Sequence, residues 1–257
     1  MKVAVCVKAV PDTVAGRRMD PVSGRLDRRG ELALSAFDLH AVEQALVLAE
    51  AQGAGEVEVV VVSLGPAAAS DALRKTLAMG ADRSVLVSDE RFEGADLLVT
   101  AAALAGALRR EQPDLVLFGQ QSPDGEGACL WAAVAEQLGL PLISQVAALS
   151  LDGAGVRGRR QTEFGYEQIS APLPAVVAVS DAINQPRYPS LKGIMGAKSK
   201  PQQLLTAAEV GGAGASRTTV LALAAPPARG ERRIVHDDAA GAAAEAIVAF
   251  LAERRLL

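Results

Sequence analysis

Short runs of branched apolar residues alternate with longer amphipathic stretches along most of this chain. Lys2 to Val7 (K-V-A-V-C-V) is brief, rich in β-branched residues and soon followed by Pro11, the pattern of a buried strand ending in a loop. Phe37, Ala41, Ala45 and Leu48 then recur at helical spacing, with Val42, Leu46 and Ala49 widening the stripe until Gly53 ends it. The charged, turn-rich stretch from Gly16 to Leu34 predicts an excursion or short hairpin between the two. The rhythm repeats as strand Glu56–Leu64, helix Ala67–Met79 closed by Gly80, strand Ser84–Val87, helix Asp96–Arg110, strand Asp114–Phe118 and helix Glu126–Leu138. Strands alternating with helices predict an α/β fold, a doubly wound, mostly parallel sheet with right-handed crossovers.

Beyond Pro141 the pattern changes. Ser144–Leu151 and Val156–Thr162 read as β segments around the turn Asp152-Gly153, and Pro174–Ser180 as a further strand. Leu204–Val210 suggests a short helix, Gly211–Ser216 a linker and Thr218–Leu223 a strand. After the Pro226-Pro227 break and the charged Arg229–Arg233 stretch, Ala239–Leu256 predicts an Ala-rich helix. Gly and Pro breaks deny this end a core of its own, so the expected organisation is one domain over 1–200 and, over 201–257, an extended C-terminal arm with a terminal helix.

Half of the 257 residues are hydrophobic, enough for a sizeable core, and only 3% are aromatic, which suits helices packed on a Val-rich parallel sheet. So few aromatics and a net charge of −4 argue against binding nucleic acid or anionic membranes. No run approaches the roughly 20 apolar residues that span a bilayer, so no direct membrane insertion is expected. A strand begins by Lys2, leaving no room for a secretory signal, and the expectation is a cytoplasmic bacterial protein. Cys6 and Cys129 lie far apart and outside metal-spaced pairs, and His40 and His236 lack spaced partners. No catalytic constellation and no metal site is predicted.

Ligands of doubly wound sheets sit beyond the carboxyl ends of the strands. Four loops qualify: Lys8 to Thr13, Ser35 to Asp38, Ser63 to Pro66, and Gly119 to Ala128. In the last, G-Q-Q-S-P-D-G-E-G-A, three glycines permit close backbone approach and the following helix offers free N–H groups to an anion. No G-x-G-x-x-G follows the first strand and no G-x-x-x-x-G-K-[ST] occurs, so these residues alone leave a nucleotide loop and a plain strand-to-helix turn both open. A second region, Asn184 to Lys200 (N-Q-P-R-Y-P-S-L-K-G-I-M-G-A-K-S-K), carries two prolines that argue against regular helix or central strand. Yet it holds Tyr188, Leu191, Ile194 and Met195, residues that are costly to expose unless they touch a partner.

The run P-A-V-V followed by N-x-P-R-Y-P-x-L-x-x-I-M-x-A-K-x-K, together with A-L-R-K-T-L-A-M-G-A-D at Ala72–Asp82, resembles the beta subunit of electron transfer flavoproteins. The resemblance spans nearly the whole chain and thins after Gly211. It implies a Rossmann-like fold of the adenine nucleotide alpha hydrolase type and an electron carrier rather than a classical enzyme. It implies an obligate heterodimer with an alpha subunit that carries the redox FAD, serving flavin dehydrogenases of the acyl-CoA dehydrogenase type in fatty acid oxidation and passing electrons to a membrane quinone oxidoreductase. On this chain it implies AMP or, in an electron-bifurcating branch with NADH as donor, a second FAD. The nucleotide-binding positions carried over are Cys6, Ser35, Ala36, Phe37, Asp38, Leu64, Gly119, Gln120, Gln121, Ser122, Pro123, Asp124, Gly125, Glu126, Gly127, Ala128, Cys129 and Leu130. The partner-docking positions are Arg187, Tyr188, Pro189, Leu191, Ile194 and Met195.

The match has departures. Many relatives place Asn, Gln and Thr where this chain has Gly127, Ala128, Cys129 and Leu130, and the bifurcating pattern D-G-D-T fails because Asp124-Gly125 is followed by Glu126-Gly127. The first departure leaves phosphate binding to backbone N–H groups, and the second favours AMP. Some relatives carry an acidic residue at the position of Gln161 that pairs with the flavin domain; Glu163, two residues on, would face the same side of a strand and could replace it. A stand-alone nucleotide-binding sensor module is the alternative from another class.

Overall fold

The computed structural model describes all residues except 13–17, 223, 225, 226, 228–233 and 236–240. Two compact units divide it, Met1–Val220 and Leu221–Leu257. The first is built on a nine-stranded sheet. In chain order its elements are β1 (Lys2–Cys6), β2 (Ala9–Pro11), β3 (Met19–Asp20), β4 (Arg25–Leu26), β5 (Leu32–Leu34), α1 (Ala36–Gln52), β6 (Glu58–Leu64), α2 (Ala69–Met79) and β7 (Arg83–Val87). Then come α3 (Leu97–Glu111), β8 (Leu115–Gly119), α4 (Leu130–Leu138), β9 (Leu142–Asp152), β10 (Gly155–Thr162), β11 (Gly165–Pro172), β12 (Ala175–Val179), α5 (Leu191–Ala197) and β13 (Gln202–Leu205).

The sheet order is β11-β10-β9-β12-β8-β1-β6-β7-β13, parallel from β9 to β13 and antiparallel among β9, β10 and β11. Alternation along each central strand splits the core in two. Val3, Val5, Val59, Val61, Leu115, Leu117 and Val177 pack with α1 and α2, whereas Ala4, Cys6, Val60, Val62, Val116, Phe118 and Val176 pack with α3 and α4. Burial on both faces is why these strands read as continuous Val-rich runs rather than as a polar/apolar alternation. The expected doubly wound, mostly parallel sheet is therefore present.

Several elements differ from expectation for local reasons. Helix α4 starts at Leu130 rather than Glu126, because Glu126 and Ala128 adopt left-handed φ of 48° and 45° and hold the preceding segment out of the helix. Leu204–Val210 is not a helix: Gln202–Leu205 pairs with β7 as the sheet's edge and only Ala208–Val210 makes a 3-10 turn. Sheet pairing overrides the helical spacing there, and the first compact unit extends to Val220. Thr218 to Ala222 forms no strand, and Leu223 lies outside the described residues, as do the Arg229–Arg233 stretch, Pro226 and His236. The Gly16–Leu34 excursion contains the expected hairpin as β3–β4, with β2 and β5 pairing antiparallel at its base; residues 16 and 17 lie outside the described ones.

In the second unit the terminal helix α6 runs Ala242–Glu253, with no buried residue and with Ile247, Val248 and Phe250 exposed. No helix among the described residues is long and apolar enough to cross a membrane.

Candidate functional site

The strand order reverses between β1 and β8: from β1 the chain moves outward through β6 and β7, then returns to place β8 on the other side. Loops diverging from such a switch point leave a crevice at the carboxyl ends of the strands. All the nucleotide-binding positions carried over from the resemblance map to this edge. Cys6 ends β1, Ser35 stands at the N-cap position of α1 without a side-chain cap bond, Ala36 to Asp38 form its first turn, Leu64 ends β6, Gly119 ends β8, Gln120 to Cys129 connect to α4, and Leu130 opens that helix.

Asp38 joins three of these loops. Its carboxylate accepts the Lys8 N–H at 2.8 Å, and a Cβ on Gly119 would fall 2.4 Å from its Oδ1 and 2.7 Å from the Phe37 carbonyl carbon. Gly119 is thus fixed by close approach of α1 to β8 rather than by its φ. The Lys8 carbonyl in turn accepts the Ser35 N–H at 3.0 Å. Burial pushes the Asp38 carboxyl up to about 7, against the Lys8 N–H and the Lys8 charge, which favour the ionised form.

A sign follows for stability. An acid whose carboxyl ionises near 7 when folded and near 3.8 when unfolded binds more protons in the native state between those values. Stability therefore falls as pH rises from about 4 to about 7, by on the order of 2–4 kcal/mol. Asp38→Asn, whose amide oxygen still accepts the Lys8 N–H, should flatten that slope when denaturation midpoints at pH 5 and pH 8 are compared. An unchanged slope in the variant would assign the titration elsewhere.

The loop after β8 is held by charge and by an indole. Asp124, with only 4% of its side chain exposed, pairs with Lys8 Nζ at 3.0 Å and with the Arg28 guanidinium, while Lys8 Nζ also reaches Ser122 Oγ at 3.4 Å. Burial opposes its ionisation, but the Lys8 charge and hydrogen bonds from Ser122, Lys8 and Arg28 outweigh that and hold the carboxyl at about 2. Trp131 Nε1 donates to the Gln120 carbonyl at 3.0 Å, tying α4 back to the start of the loop. Sequence reading missed Arg28 and the Trp131 contact, because both depend on chain segments brought together only by the fold. Cys6 is buried, and desolvation first, then the Asp38 charge, push its thiol far up, so it packs as an inert group. Cys129 is exposed at the N-cap of α4.

Among the described residues, two buried hydroxyls at this edge, Ser35 Oγ and Ser63 Oγ, make no hydrogen bond of normal geometry, although Ser35 still favours the ionised form of Asp38. Unsatisfied buried polar atoms are costly unless a ligand or water completes them. With the positive φ of Glu126 and Ala128, the open space around Gly127 and the N-terminus of α4, they bring polar groups to the carboxyl edge of the sheet, the chemistry that an adenine nucleotide would need.

The second region is ordered in a way the prolines did not suggest. Pro186 and Pro189 both precede α5, which Ser190 caps by accepting the Gly193 N–H at 3.0 Å, so Leu191–Ala197 is helical after all. Tyr188 is 93% exposed, Leu191 77% and Met195 71%, with Ile194 also exposed. Arg187 is turned inward: its N–H and guanidinium bond Glu43 at 2.9 to 3.1 Å, and the guanidinium also bonds Glu50. Asn184 adds two more ties to α1, its carbonyl meeting His40 Nδ1 and its Nδ2 donating to the His40 carbonyl, each at 3.0 Å. His40 thus serves helix packing.

On the other side Lys200 Nζ donates to the Leu77 and Ala81 carbonyls at the end of α2, and this spends an ammonium that would otherwise join Lys192 and Lys198. A Cβ on Gly193 would meet the Ala78 carbonyl oxygen at 2.2 Å. Gly193→Ala should therefore lift α5 from α2 at a cost of about 1–3 kcal/mol and raise amide exchange across 191–197, whereas unchanged exchange would deny that close approach a role.

Gln161 faces Tyr166 across the β10–β11 hairpin, but Glu163 lies in the hairpin turn beyond β10, so strand alternation does not carry it to the same side as Gln161. Phe164 beside it is exposed, and Arg159 stacks over Tyr166 with 4.9 Å from guanidinium carbon to ring centroid.

A family model described as electron transfer flavoprotein domain matches residues 23–210. The electron transfer flavoprotein subunit beta of Mycobacterium tuberculosis is 38% identical over 99% of both chains. The chain belongs to the electron transfer flavoprotein beta-subunit family. The subunit beta of Clostridium acetobutylicum is 39% identical over 82% of this chain and 80% of its own. The caffeyl-CoA reductase-Etf complex subunit CarD of Acetobacterium woodii is 35% identical over the full length of both. This is a flavoprotein family of electron transfer, so the chain is an electron-transfer subunit rather than a classical enzyme. The stand-alone sensor reading loses its support.

Proposed function

We propose that this chain is the docking and nucleotide-holding half of a heterodimeric electron transfer flavoprotein. Its alpha subunit holds the redox FAD, which accepts electrons from flavin dehydrogenases of the acyl-CoA dehydrogenase type and delivers them to a membrane quinone oxidoreductase. The observation that carries the reading is the pairing of opposites at 184–197: Tyr188, Leu191, Ile194 and Met195 stand exposed on a segment that Arg187 and Asn184 fasten to α1. Apolar residues on a fixed frame lose little entropy on docking, as a recognition surface requires. Tyr188, Pro189, Leu191, Ile194 and Met195 make the contact, and Arg187 holds them in place.

On the same reading the switch-point crevice holds AMP, which serves as a structural ligand. Ser35 to Asp38, Leu64 and the backbone of Gly119 to Leu130 form its walls, and Ser35 and Ser63 supply buried hydroxyls. The missing D-G-D-T pattern favours AMP over a second FAD, and the absence of hydroxyl and amide side chains at Gly127 to Leu130 leaves the loop's phosphate contacts to backbone N–H groups. Co-expression with the flavin-binding alpha subunit tests the role. The expected product is a yellow heterodimer whose flavin is bleached by an acyl-CoA dehydrogenase and its substrate, and a heterodimer whose flavin stays oxidised would refute the proposed donor.

A further inference from the structure

Two cations from distant parts of the chain converge on the loop after β8. Lys8 follows β1, and Arg28 follows the β3–β4 hairpin in a segment tied down by the β2–β5 pairing and by the Asp12 N–H to the Glu31 carbonyl at 3.2 Å. Both meet the nearly buried carboxylate of Asp124, so the cluster carries two positive charges against one negative. The Lys8 ammonium lies beside Gly125, 3.8 Å from where a Cβ would stand, so no side chain separates it from the loop backbone. Among the described residues Lys8 spends its ammonium on Asp124 and Ser122, and Arg28 spends its guanidinium on Asp124 alone, although a guanidinium has five N–H groups.

The acids that could cancel this charge are few. Asp38 faces the same loops but is held protonated up to about 7 by burial; Glu126 is exposed in the loop, and Asp12 has a partner of its own. The loop beyond Asp124 offers Gly127, Ala128, Cys129 and Leu130, none with a hydroxyl or amide side chain, so its own contribution to an anion is backbone N–H groups and the end of α4.

We propose that Lys8 and Arg28, bridged by Asp124, are the phosphate-recognition pair of the crevice and make it selective for a phosphorylated nucleotide over the bare nucleoside. This rests on the reading of the crevice as a nucleotide site. Asp124 fixes the spacing of the two cations while leaving a net positive charge, and a guanidinium fork suits phosphate oxygens. Charge from β1 and from the excursion thereby replaces the side-chain contacts that the loop itself lacks.

The full chain in complex with its flavin-binding subunit, stripped of bound nucleotide, is titrated calorimetrically with AMP and with adenosine. Wild type should bind AMP much more tightly than adenosine. Arg28→Gln should weaken AMP by about tenfold and leave adenosine unchanged, Lys8→Gln should act in the same direction, and Arg28→Lys should recover part of the loss. If Arg28→Gln binds AMP as wild type does, or loses AMP and adenosine in parallel, the phosphate-recognition role is overturned while the nucleotide site stands. If wild type binds neither ligand, the nucleotide reading itself fails and this inference falls with it.

Discussion

Leu191→Ala is expected to slow electron uptake from an acyl-CoA dehydrogenase by about 10–100-fold at subsaturating carrier, with the heterodimer and its flavin content intact. Leu191 is 77% exposed and sits on the first turn of α5, so among the described residues little depends on its side chain for packing. Burying such a leucine in a partner's apolar pocket stabilises a complex by about 1.5–3 kcal/mol, which sets the size of the effect. The loss belongs in complex formation, so the rate should recover at saturating concentrations. Stopped-flow reduction of the flavin across a range of carrier concentrations distinguishes this from a slower chemical step. Unchanged kinetics would remove Leu191 from the docking surface.

Arg187→Ala should reach a comparable loss by a different route. Arg187 is only one-third exposed and binds two carboxylates, of which Glu43 is 6% exposed and Glu50 is mostly open to solvent. Removing the guanidinium leaves Glu43 buried without its cation, a cost of about 2 kcal/mol after allowing for the partial exposure of the pair. That energy comes out of the clamp on 184–190, so amide exchange there should rise. Docking should weaken because the apolar row must then be ordered at the moment of binding. Glu50→Gln should do much less, since it removes an exposed partner and leaves Glu43 paired. Leu191→Ala, by contrast, should leave exchange at 184–190 untouched. Arg187→Ala with wild-type exchange and docking would show that the ion pairs do not hold the loop.

The sheet was legible because its central strands are buried on both faces and therefore appear as continuous Val-rich runs, while α1 and α2 carry clear stops at Gly53 and Gly80. The switch-point loops could be placed from that order alone. Less legible was whatever depends on pairing between distant segments. Gln202–Leu205 has helical spacing but is claimed by the open edge of β7, and β11 went unrecognised because Gly165–Pro172 is mostly exposed and lacks an apolar face. Backbone conformation hid the true start of α4, since nothing in the residue types at Glu126 and Ala128 requires a positive φ. At the site, Asp124 was visible only as one position of a glycine-rich loop; its partners, Lys8 and Arg28, lie 116 and 96 residues away. The apolar row at 188–195 was visible, but the inward turn of Arg187 was not, because its partners sit 144 and 137 residues earlier on α1.

In the proposed function this chain contributes docking and a structural nucleotide, while the redox flavin belongs to its partner. Counting the nucleotides released on denaturing the purified heterodimer tests that division most directly. One FAD and one AMP per heterodimer is the predicted result; two FAD, or one FAD with no AMP, would contradict it.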